Sequence, residues 1–295
     1  MSAPALPKIS IVTPNYNYGP FLEGTLRSVL AQDYPHLEYL VIDDGSTDGS
    51  VETLQRYEQQ LTHWETGPNE GQYRVIARGL NRATGDVFGW LNSDDAYVPG
   101  ALAIVGDIFA RFPEVEWLTT LFPLHMDVPG RVIRADHARG FNRDGFLAGE
   151  YLPQPGALSL GHIQQESTFW RRSLWEKAGS SFDWDFPLAG DFALWAQFYQ
   201  HAELDGVATP LGCFRVHGSQ RSRVGIDRYQ DEAARALEKY GGKRAEPWQK
   251  PVREIATRTP VAGHALLEKV GAMRRARAVR WDLAAGEWKL EEYFI

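Results

Sequence analysis

Residues 84–96, TGDVFGWLNSDDA, give the strongest structural signal in this chain, because a short apolar run ends there at two adjacent carboxylates. The run 87–91 has the length and composition of a buried parallel strand between turn residues. In an open α/β sheet, ligands bind outside the carboxyl ends of such strands. Because like charges repel, Asp94 and Asp95 predict a cationic partner there, and a divalent cation that also binds a diphosphate suits them. The alternative for paired aspartates in a loop is a turn or a helix cap.

The composition is that of a globular chain with one large domain, or one domain and an appendage. Of its 295 residues, 43% are hydrophobic and 23% are charged, which leaves ample length for a core. A formal net charge of −7 argues against non-specific nucleic-acid binding, so no nucleic-acid partner is expected. Cys213 is the only cysteine, so no intrachain disulfide is possible and a reducing compartment is expected.

The sequence shows no signal-peptide pattern and no apolar run of membrane-spanning length. We therefore expect a soluble, cytoplasmic protein. The alternative is a peripheral contact with the inner face of the membrane.

Predicted strands and helices alternate four times in the first third of the chain. Strands are predicted at residues 8–13, 37–42, 63–65 and 87–91, and helices at 21–31, 51–61 and 69–82. This alternation predicts a doubly wound α/β sheet with right-handed crossovers. The glycine-rich dinucleotide fingerprint does not follow the first strand, which counts against a hydride-transfer enzyme.

Three loops are expected to meet at one edge of this sheet. The loop 14–18 and the aspartate pairs at 43–44 and 94–95 each follow a predicted strand. The carboxyl ends of parallel strands share an edge, so the three loops together predict a binding site.

The ordered motifs IDDGSTD, GxxxARGLNRATGD and WLNSDD resemble those of family 2 glycosyltransferases with the GT-A fold. The resemblance is close over residues 8–112 and looser to residue 222. It implies a GT-A domain over residues 1–222, with a mostly parallel sheet and helices on both faces, followed by a C-terminal extension over 223–295. It also implies an inverting transfer of a sugar from a nucleotide-diphospho sugar (UDP-, dTDP- or GDP-linked). The acceptor would be a hydroxyl of a glycan or lipid-linked saccharide in surface-polysaccharide biosynthesis.

The resemblance assigns donor-binding roles by position. Pro14, Asn15 and Tyr16 are expected to wall the base, and Asp44 to receive the base or ribose. Asp43 is expected to be structural. The remaining donor positions are Gln72, Arg74, Asn92 and Asp94.

Asp95 and His217 are implied as ligands of a divalent cation, Mn²⁺ or Mg²⁺. A structural role is the alternative for the histidine. Asn92 stands where many relatives carry another aspartate, which leaves fewer anionic ligands. Arg74 and Arg78 share one helix face, so either one of them contacts the nucleotide or both belong to a solvated face.

Asp191 is implied as the catalytic base that takes the proton of the acceptor hydroxyl. Its alternative role is a helix N-cap, and Glu166, Asp183 and Asp185 are the reserve candidates. Gly190 stands where an acid often precedes this aspartate. A single in-line displacement would invert the anomeric centre without an enzyme nucleophile.

Two further expectations concern aromatic and basic residues. Trp170 and Trp175 are candidates for stacking on sugar rings, although a core role is expected for at least one of them. A strand is predicted over 207–216. Arg215, Arg221 and Arg223 would form a phosphate-neutralising lid around its end.

Beyond residue 222 the family resemblance gives no help. Periodicity predicts helices over 228–240 and 261–273, and a terminal hairpin from 278–283 and 288–295. The basic stretch 274–280 has three alternative roles: a solvated helix end, a contact in a homodimer, or a contact with anionic lipid.

Two rival functions remain open at this point. A nucleotidyltransferase usually carries a Gly- and Lys-rich loop after the first strand, and PNYNYGP does not resemble one. A non-catalytic nucleotide-sugar-binding module, or a partner subunit, is the second rival, and Asn92 and Gly190 keep it open.

Overall fold

The computed structural model describes residues 4–153, 161–218, 220, 225–243 and 273–295. The first part of the chain forms four parallel strands in the order β3-β2-β1-β4, joined by helices. In chain order the elements are β1 (Ile9–Asn15), α1 (Gly19–Leu30), β2 (Leu37–Asp43), α2 (Ser50–Tyr57), β3 (His63–Thr66), α3 (Gln72–Arg82) and β4 (Val87–Trp90).

Two predicted boundaries in this part were wrong. Pro14 does not end β1, because its fixed φ suits an extended strand and it pairs in register with Ile42. Helix α2 is shorter than predicted and continues only as a 3₁₀ turn over Glu58–Gln60. Gly49 occupies the cap position of this helix, with a left-handed φ of 87°.

The remaining described elements complete two sheets. They are β5 (Ala96–Tyr97), α4 (Ala101–Arg111), β6 (Trp117–Thr120), β7 (Leu124–Met126), β8 (Val132–Ala135), α5 (Arg143–Leu147), β9 (Phe169–Arg171), α6 (Arg172–Lys177), α7 (Gly190–Phe198), β10 (Leu204–Val207), β11 (Gly212–Arg215), α8 (Ile226–Lys239), β12 (Arg275–Asp282) and β13 (Glu287–Phe294). The main sheet has nine strands in the order β13-β12-β10-β6-β9-β4-β1-β2-β3, and a smaller sheet has the order β5-β11-β7-β8. In the main sheet, β9 is antiparallel to both neighbours and β13 to β12.

The prediction of one strand over 207–216 was wrong. Residues 204–207 form β10 in the main sheet, whereas 212–215 form β11 in the small sheet. Pro210, which cannot donate to a strand ladder, lies between them. A tight turn with Gly130 at a φ of 92° joins β7 and β8 as a hairpin.

Alternate side chains of the central strands face two separate apolar layers, which confirms a doubly wound sheet with helices on both faces. On β2, Leu40 and Ile42 belong to one layer and Val41 to the other. Trp170 and Trp175 are both buried in the first layer, so neither can stack on a substrate sugar.

The C-terminal residues of the chain contribute to the main sheet. Strands β12 and β13 form the predicted hairpin, and β12 pairs in parallel with β10. Arg274 and Arg277 form ion pairs with the fully buried carboxylates of Glu150 and Asp205, at 2.8 and 2.7 Å. The basic stretch is therefore not a helix end, as one alternative proposed.

The remaining predictions concern two helices, a domain boundary and membrane spans. The helix predicted at 228–240 corresponds to α8, and the one predicted at 261–273 lies outside the described residues. The division at residues 222–223 stays a prediction. No helix in the described part of the chain is long and apolar enough to cross a membrane.

Candidate active site

The ends of β1 and β2 are joined to the start of α3 through Asp44. Its buried carboxylate accepts hydrogen bonds from the backbone N–H groups of Glu70 (2.8 Å) and Gly71 (2.9 Å). Its own N–H donates to the carbonyl of Asn15 (2.8 Å). The N–H groups and the positive end of α3 stabilise a carboxylate at this position. The aspartate thus lies at the predicted rim, and its role toward a base stays a prediction.

Asp43 is structural, as predicted. Its carboxylate accepts hydrogen bonds from Asn15 Nδ2 (2.7 Å), Ser46 Oγ (2.6 Å) and Thr66 Oγ1 (2.7 Å). Beside it, Pro14 lies in β1, and Tyr16 is 44% exposed. The Oδ1 atom of Asn15 is buried and has no hydrogen-bond partner among the described residues. This loop therefore offers an acceptor and an aromatic ring at the expected base site.

A row of side-chain amides connects α3 to the end of β4. Gln72 Nε2 donates to Asn92 Oδ1 (2.9 Å), and Asn92 Nδ2 donates to Gln165 Oε1 (3.0 Å). Gln165 Nε2 then donates to the Trp90 carbonyl (2.7 Å). An aspartate at position 92 could not donate to Gln165, which gives a physical reason for the amide found there.

The acid pair is buried behind this row. Asp95 is 1% exposed; its Oδ1 accepts from the Arg215 N–H (2.8 Å), and its Oδ2 has no partner among the described residues. Asp94 Oδ2 lies 2.9 Å from Nε2 of His217. The histidine thus contacts Asp94 rather than Asp95, with which it was grouped as a metal ligand.

Glu166 is the third carboxyl group of this cluster. It is buried, and its Oε1 has no partner in the described part of the chain. Burial raises its pKa to about 8, and the charges of Asp94 and Asp191 add to this. Burial also raises the pKa of Asp95 well above its usual value, and repulsion from Asp94 and Glu166 raises it further. Such an arrangement favours either retained protons or a bound cation.

The side chains of this cluster supply part of a divalent-cation site. Among the described residues, no group of three or more His, Cys, Asp or Glu side chains is arranged to hold a metal. The unpaired, buried oxygen of Asp95 nevertheless provides one hard ligand beside a second carboxylate. Mg²⁺ usually binds through one or two carboxylates and substrate phosphates rather than through a complete protein cage. The donor set fits a cation that arrives with a diphosphate.

Arg215 has a structural position rather than the predicted one in a lid. Its buried guanidinium donates to the carbonyls of Asp94 (2.6 Å), Asp127 (3.2 Å) and Val128 (2.6 Å). It therefore fixes the backbone of the acid pair against the β7–β8 turn. Arg221 and Arg223, the other predicted lid residues, lie outside the described residues.

Asp191 lies in the first turn of α7, and the N-cap of that helix is Ala189 rather than Asp191. The hydroxyl of Tyr229 on α8 lies 3.0 and 3.1 Å from its two carboxylate oxygens, and that of Tyr73 on α3 lies 3.4 Å from one of them. Burial raises the pKa of Asp191, and hydrogen bonds from the Phe192 N–H and these hydroxyls oppose the rise. A carboxylate with a raised pKa and fixed orientation suits a general base.

The missing acid before Asp191 has a steric explanation. A Cβ atom at Gly190 would lie 2.6 Å from ring carbons of Tyr73. The close approach of α3 to α7 therefore requires a glycine. Among the reserve candidates for the base, Asp183 and Asp185 form ion pairs with Lys239, at 2.7 and 2.8 Å. Glu166 is the reserve candidate that lies close enough to the acid pair for its charge to raise the pKa of Asp95.

The two arginines of α3 have different contacts. Arg78 forms ion pairs with Glu65 (2.9 Å) and Glu70 (2.6 Å), which supports a solvated face for this residue. The guanidinium carbon of Arg74 lies 4.7 Å from the ring centroid of Trp184. The predicted donor contact of Arg74 stays a prediction.

Sequence reasoning missed four residues of this region: Gln165, Tyr73, Tyr229 and Trp184. Gln165 and Tyr73 are adjacent to residues that were selected, but no motif marked their side chains. Tyr229 lies beyond the family resemblance, so only the packing of α8 against α7 reveals its contact with Asp191.

The chain has the GT-A glycosyltransferase fold. Its strand order, its mixed sheet and the acids at its strand ends are those of this fold. Residues 10–115 match the sequence model of the family described as Glycosyl transferase family 2. The chain belongs to this family of transferase enzymes.

Three relatives illustrate the match. The glycosyltransferase Rv1514c of Mycobacterium tuberculosis, described as uncharacterized, is 31% identical over 191 residues, which are 63% of this chain and 66% of that protein. The putative teichuronic acid biosynthesis glycosyltransferase TuaG of Bacillus subtilis is 38% identical over 31% of this chain and 37% of its own length. The GalNAc(5)-diNAcBac-PP-undecaprenol beta-1,3-glucosyltransferase of Campylobacter jejuni is 31% identical over 33% of each chain. The chain thus spans somewhat under two thirds of the first relative and about a third of the others.

Two solved structures share the fold. TarS 1-349 of S. aureus in complex with UDP-GlcNAc aligns with a TM-score of 0.61 and 18% identity, over 90% of this chain and 78% of that one. The mannosyltransferase PcManGT of Pyrobaculum calidifontis, in complex with GDP-Man and Mn²⁺, aligns with a TM-score of 0.56 and 17% identity, over 91% and 80%. At these identities the likeness concerns the fold alone.

Proposed function

We propose that this chain transfers a sugar, with inversion, from a nucleotide-diphospho sugar to a hydroxyl of a glycan or lipid-linked saccharide. The observation that carries this proposal is the buried pair Asp94 and Asp95 after β4, with Glu166 buried as well. Asp191 is held by Tyr73, the neighbour of the Gln72 that donates to Asn92. A site with buried acids but no dinucleotide fingerprint suits an activated sugar better than a nicotinamide cofactor.

The donor would lie across the strand ends. Its base would pack beside Pro14 and Tyr16. Asn15 Oδ1, which has no hydrogen-bond partner among the described residues, would accept a hydrogen bond from the base, and Asp44 would receive the base or ribose. Gln72 and Asn92 hold each other in place next to the diphosphate position, where Arg74 on the same helix could add a positive charge. UDP, dTDP and GDP sugars remain the candidate donors, and the TarS and PcManGT complexes support a nucleotide-sugar ligand.

A divalent cation, Mn²⁺ or Mg²⁺, would be held by Asp95 together with Asp94, whose orientation His217 fixes. When bound, it supplies positive charge against the departing nucleoside diphosphate. The protein's own contribution is to bury both carboxylates and to fix their backbone through Arg215.

Asp191 would take the proton of the acceptor hydroxyl as its oxygen attacks the anomeric carbon. The new C–O bond forms while the bond between that carbon and the diphosphate oxygen breaks, so the configuration inverts. The electron pair of the broken bond leaves with the nucleoside diphosphate. Tyr73 and Tyr229 keep the Asp191 carboxylate oriented while it takes the proton.

The relatives support a place in surface-polysaccharide biosynthesis. TuaG is named for teichuronic acid, and the C. jejuni enzyme for a polyprenol-linked acceptor. A lipid-linked acceptor would bring this chain to the inner face of the membrane as a peripheral protein. A homodimer stays a prediction as well.

Release of nucleoside diphosphate from UDP-, dTDP- and GDP-sugars, measured with and without saccharide acceptors, tests the proposal. Acceptor-dependent release is expected for the wild-type chain. Asp191→Asn should lower the rate by a factor of about 10³ or more, because the base is removed, while donor affinity stays the same. Asp107→Asn, on the surface of α4, is the matched control and should keep full activity.

A chain that binds the donor yet releases no diphosphate with any acceptor would instead be a non-catalytic binding module. Full activity of Asp191→Asn would exclude this residue as the base. Glu166→Asn and Glu166→Gln would then be the next variants to assay.

A further inference from the structure

Among the residues that the structure describes, Trp184 is an exposed tryptophan beside the candidate active site. In the segment FDWDFP over residues 182–187, Phe182 and Phe186 are buried, whereas 45% of Trp184 is exposed. The neighbours on both sides are therefore packed into the core, and the indole between them is left facing outward.

Charged contacts fix the position of this indole. Asp183 and Asp185, its direct neighbours, both form ion pairs with Lys239 of α8. The guanidinium of Arg74 on α3 lies over the ring of Trp184, within cation–π range. An exposed aromatic ring that is held this firmly is preorganised for a ligand.

Trp184 borders two grooves. The smaller, of about 450 Å³, is lined by Trp184 with Glu70, Arg74 and Ala77. The larger, of about 780 Å³, lies between the loop 184–187 and α8, and its wall includes Arg228, Asp231, Glu232 and Arg235. Both volumes fall in the range of small-ligand sites, about 300–1,000 Å³.

The wall of the larger groove is bonded to the chain directly before α7, the helix that carries Asp191. Glu232 Oε2, in its wall, accepts hydrogen bonds from the N–H groups of Leu188 (2.7 Å) and Ala189 (3.0 Å), directly before α7. Tyr229, one turn earlier on α8, contacts Asp191 itself. Helix α8 therefore contributes both to the wall of the groove and to the contacts of the proposed base.

We propose that Trp184 is a sugar-stacking platform of the acceptor subsite, with the larger groove holding a pyranose ring. This inference rests on the proposed function. The apolar face of a pyranose packs on an indole, and its hydroxyls pair with the carboxylates and guanidinium groups of the wall. Trp170 and Trp175 cannot take this role because they are buried.

Fluorine NMR of the full chain labelled with 5-fluorotryptophan tests the platform without turnover. The resonance that disappears in Trp184→Phe belongs to this residue. It should shift when methyl pyranosides of glucose, galactose, mannose or N-acetylglucosamine are added, and should not shift with UDP or GDP. The matched control is the resonance assigned by Trp281→Phe, since Trp281 is 46% exposed on the C-terminal hairpin and should respond to no sugar.

A shift caused by UDP or GDP would place Trp184 in the donor site and overturn the inference. A resonance that responds to none of the four pyranosides would overturn it as well. Because this readout needs no catalysis, a sugar-induced shift in a chain without transferase activity would reject the proposed function and leave the platform standing.

Once a transfer reaction is found, steady-state kinetics with the acceptor provide a second test of the platform. Trp184→Ala should raise the acceptor KM about tenfold, the equivalent of about 1.4 kcal/mol, with donor Kd unchanged. Trp184→Phe should recover part of the loss, and Trp281→Ala should match the wild type. An unchanged acceptor KM in Trp184→Ala would contradict the platform.

Discussion

At the scale of single residues, the proposed chemistry depends on how Asp191 is held. Its carboxylate is partly buried beside two tyrosine hydroxyls, and the closer one, from Tyr229, reaches both oxygens. These hydrogen bonds stabilise the ionised form, which a base requires. Burial acts in the opposite direction, so the balance between the two determines the pH at which the base is active.

Tyr229→Phe should therefore lower kcat about tenfold, since a hydrogen bond to a charged group contributes about 1.5 kcal/mol. Loss of the hydroxyl also raises the pKa of Asp191, so the acid limb of the pH–rate profile should move to higher pH. Tyr240→Phe is the matched control, because it removes a hydroxyl that donates to Asp183 outside the site (2.9 Å). An unmoved acid limb in Tyr229→Phe would show that Tyr229 has only a packing role.

The protonation of Glu166 couples the acid cluster to the stability of the folded chain. Its folded pKa of about 8 lies above the ordinary value of 4.5. A raised carboxyl pKa means that stability is fully present below pH 4.5 and is lost as pH rises from there through pH 8. In EDTA, Glu166→Gln should thus unfold at a higher temperature than the wild type at pH 8.5 and at nearly the same temperature at pH 4.5.

Thermal unfolding of Glu166→Gln and the wild type at both pH values checks this. The exposed Glu52→Gln on α2 is the control and should show no such pH-dependent gain. Equal unfolding temperatures for Glu166→Gln and wild type at pH 8.5 would contradict this, because they would mean that ionising Glu166 does not lower the free energy of unfolding. Added Mn²⁺ should reduce the difference, because a cation beside the cluster stabilises its ionised form.

At the scale of elements, β12 attaches to the sheet through a buried charge. The Asp205 carboxylate on β10 is fully buried, and burial raises its pKa to about 6 even though the Arg277 guanidinium opposes the rise. Removing one partner of such a pair leaves an uncompensated buried charge. This ion pair therefore adds to the backbone pairing that holds β12 on β10.

Arg277→Met should lower the free energy of unfolding by about 3 kcal/mol at pH 7.5. Arg280→Met, on the same strand, removes an exposed pair with Glu291 and should cost less than about 1 kcal/mol. Denaturant titrations of both variants measure the difference. Similar losses would show that the buried pair has no special role in holding β12.

At the scale of the whole molecule, the sequence predicted the parts that local patterns encode. Short apolar runs bounded by turn residues identified the four parallel strands, and turn chemistry pointed to a structural role for Asp43. The pairings of β11 with β5 and β7 were not predictable, because these strands have two to four residues and pair across long separations. The contact of Tyr229 with Asp191 and the steric need for Gly190 depend on helix packing, which no local pattern records.

Titration calorimetry of UDP, dTDP and GDP into the wild-type chain with Mn²⁺ tests whether the strand-end acids form a single donor site. At least one nucleoside diphosphate should bind, and EDTA or Asp95→Asn should weaken that binding at least about tenfold, since both remove charge complementarity at the diphosphate. Asp107→Asn should bind like the wild type. Binding that is indifferent to both EDTA and Asp95→Asn, or absent for all three nucleotides, would refute a cation-assisted donor site at this edge of the sheet.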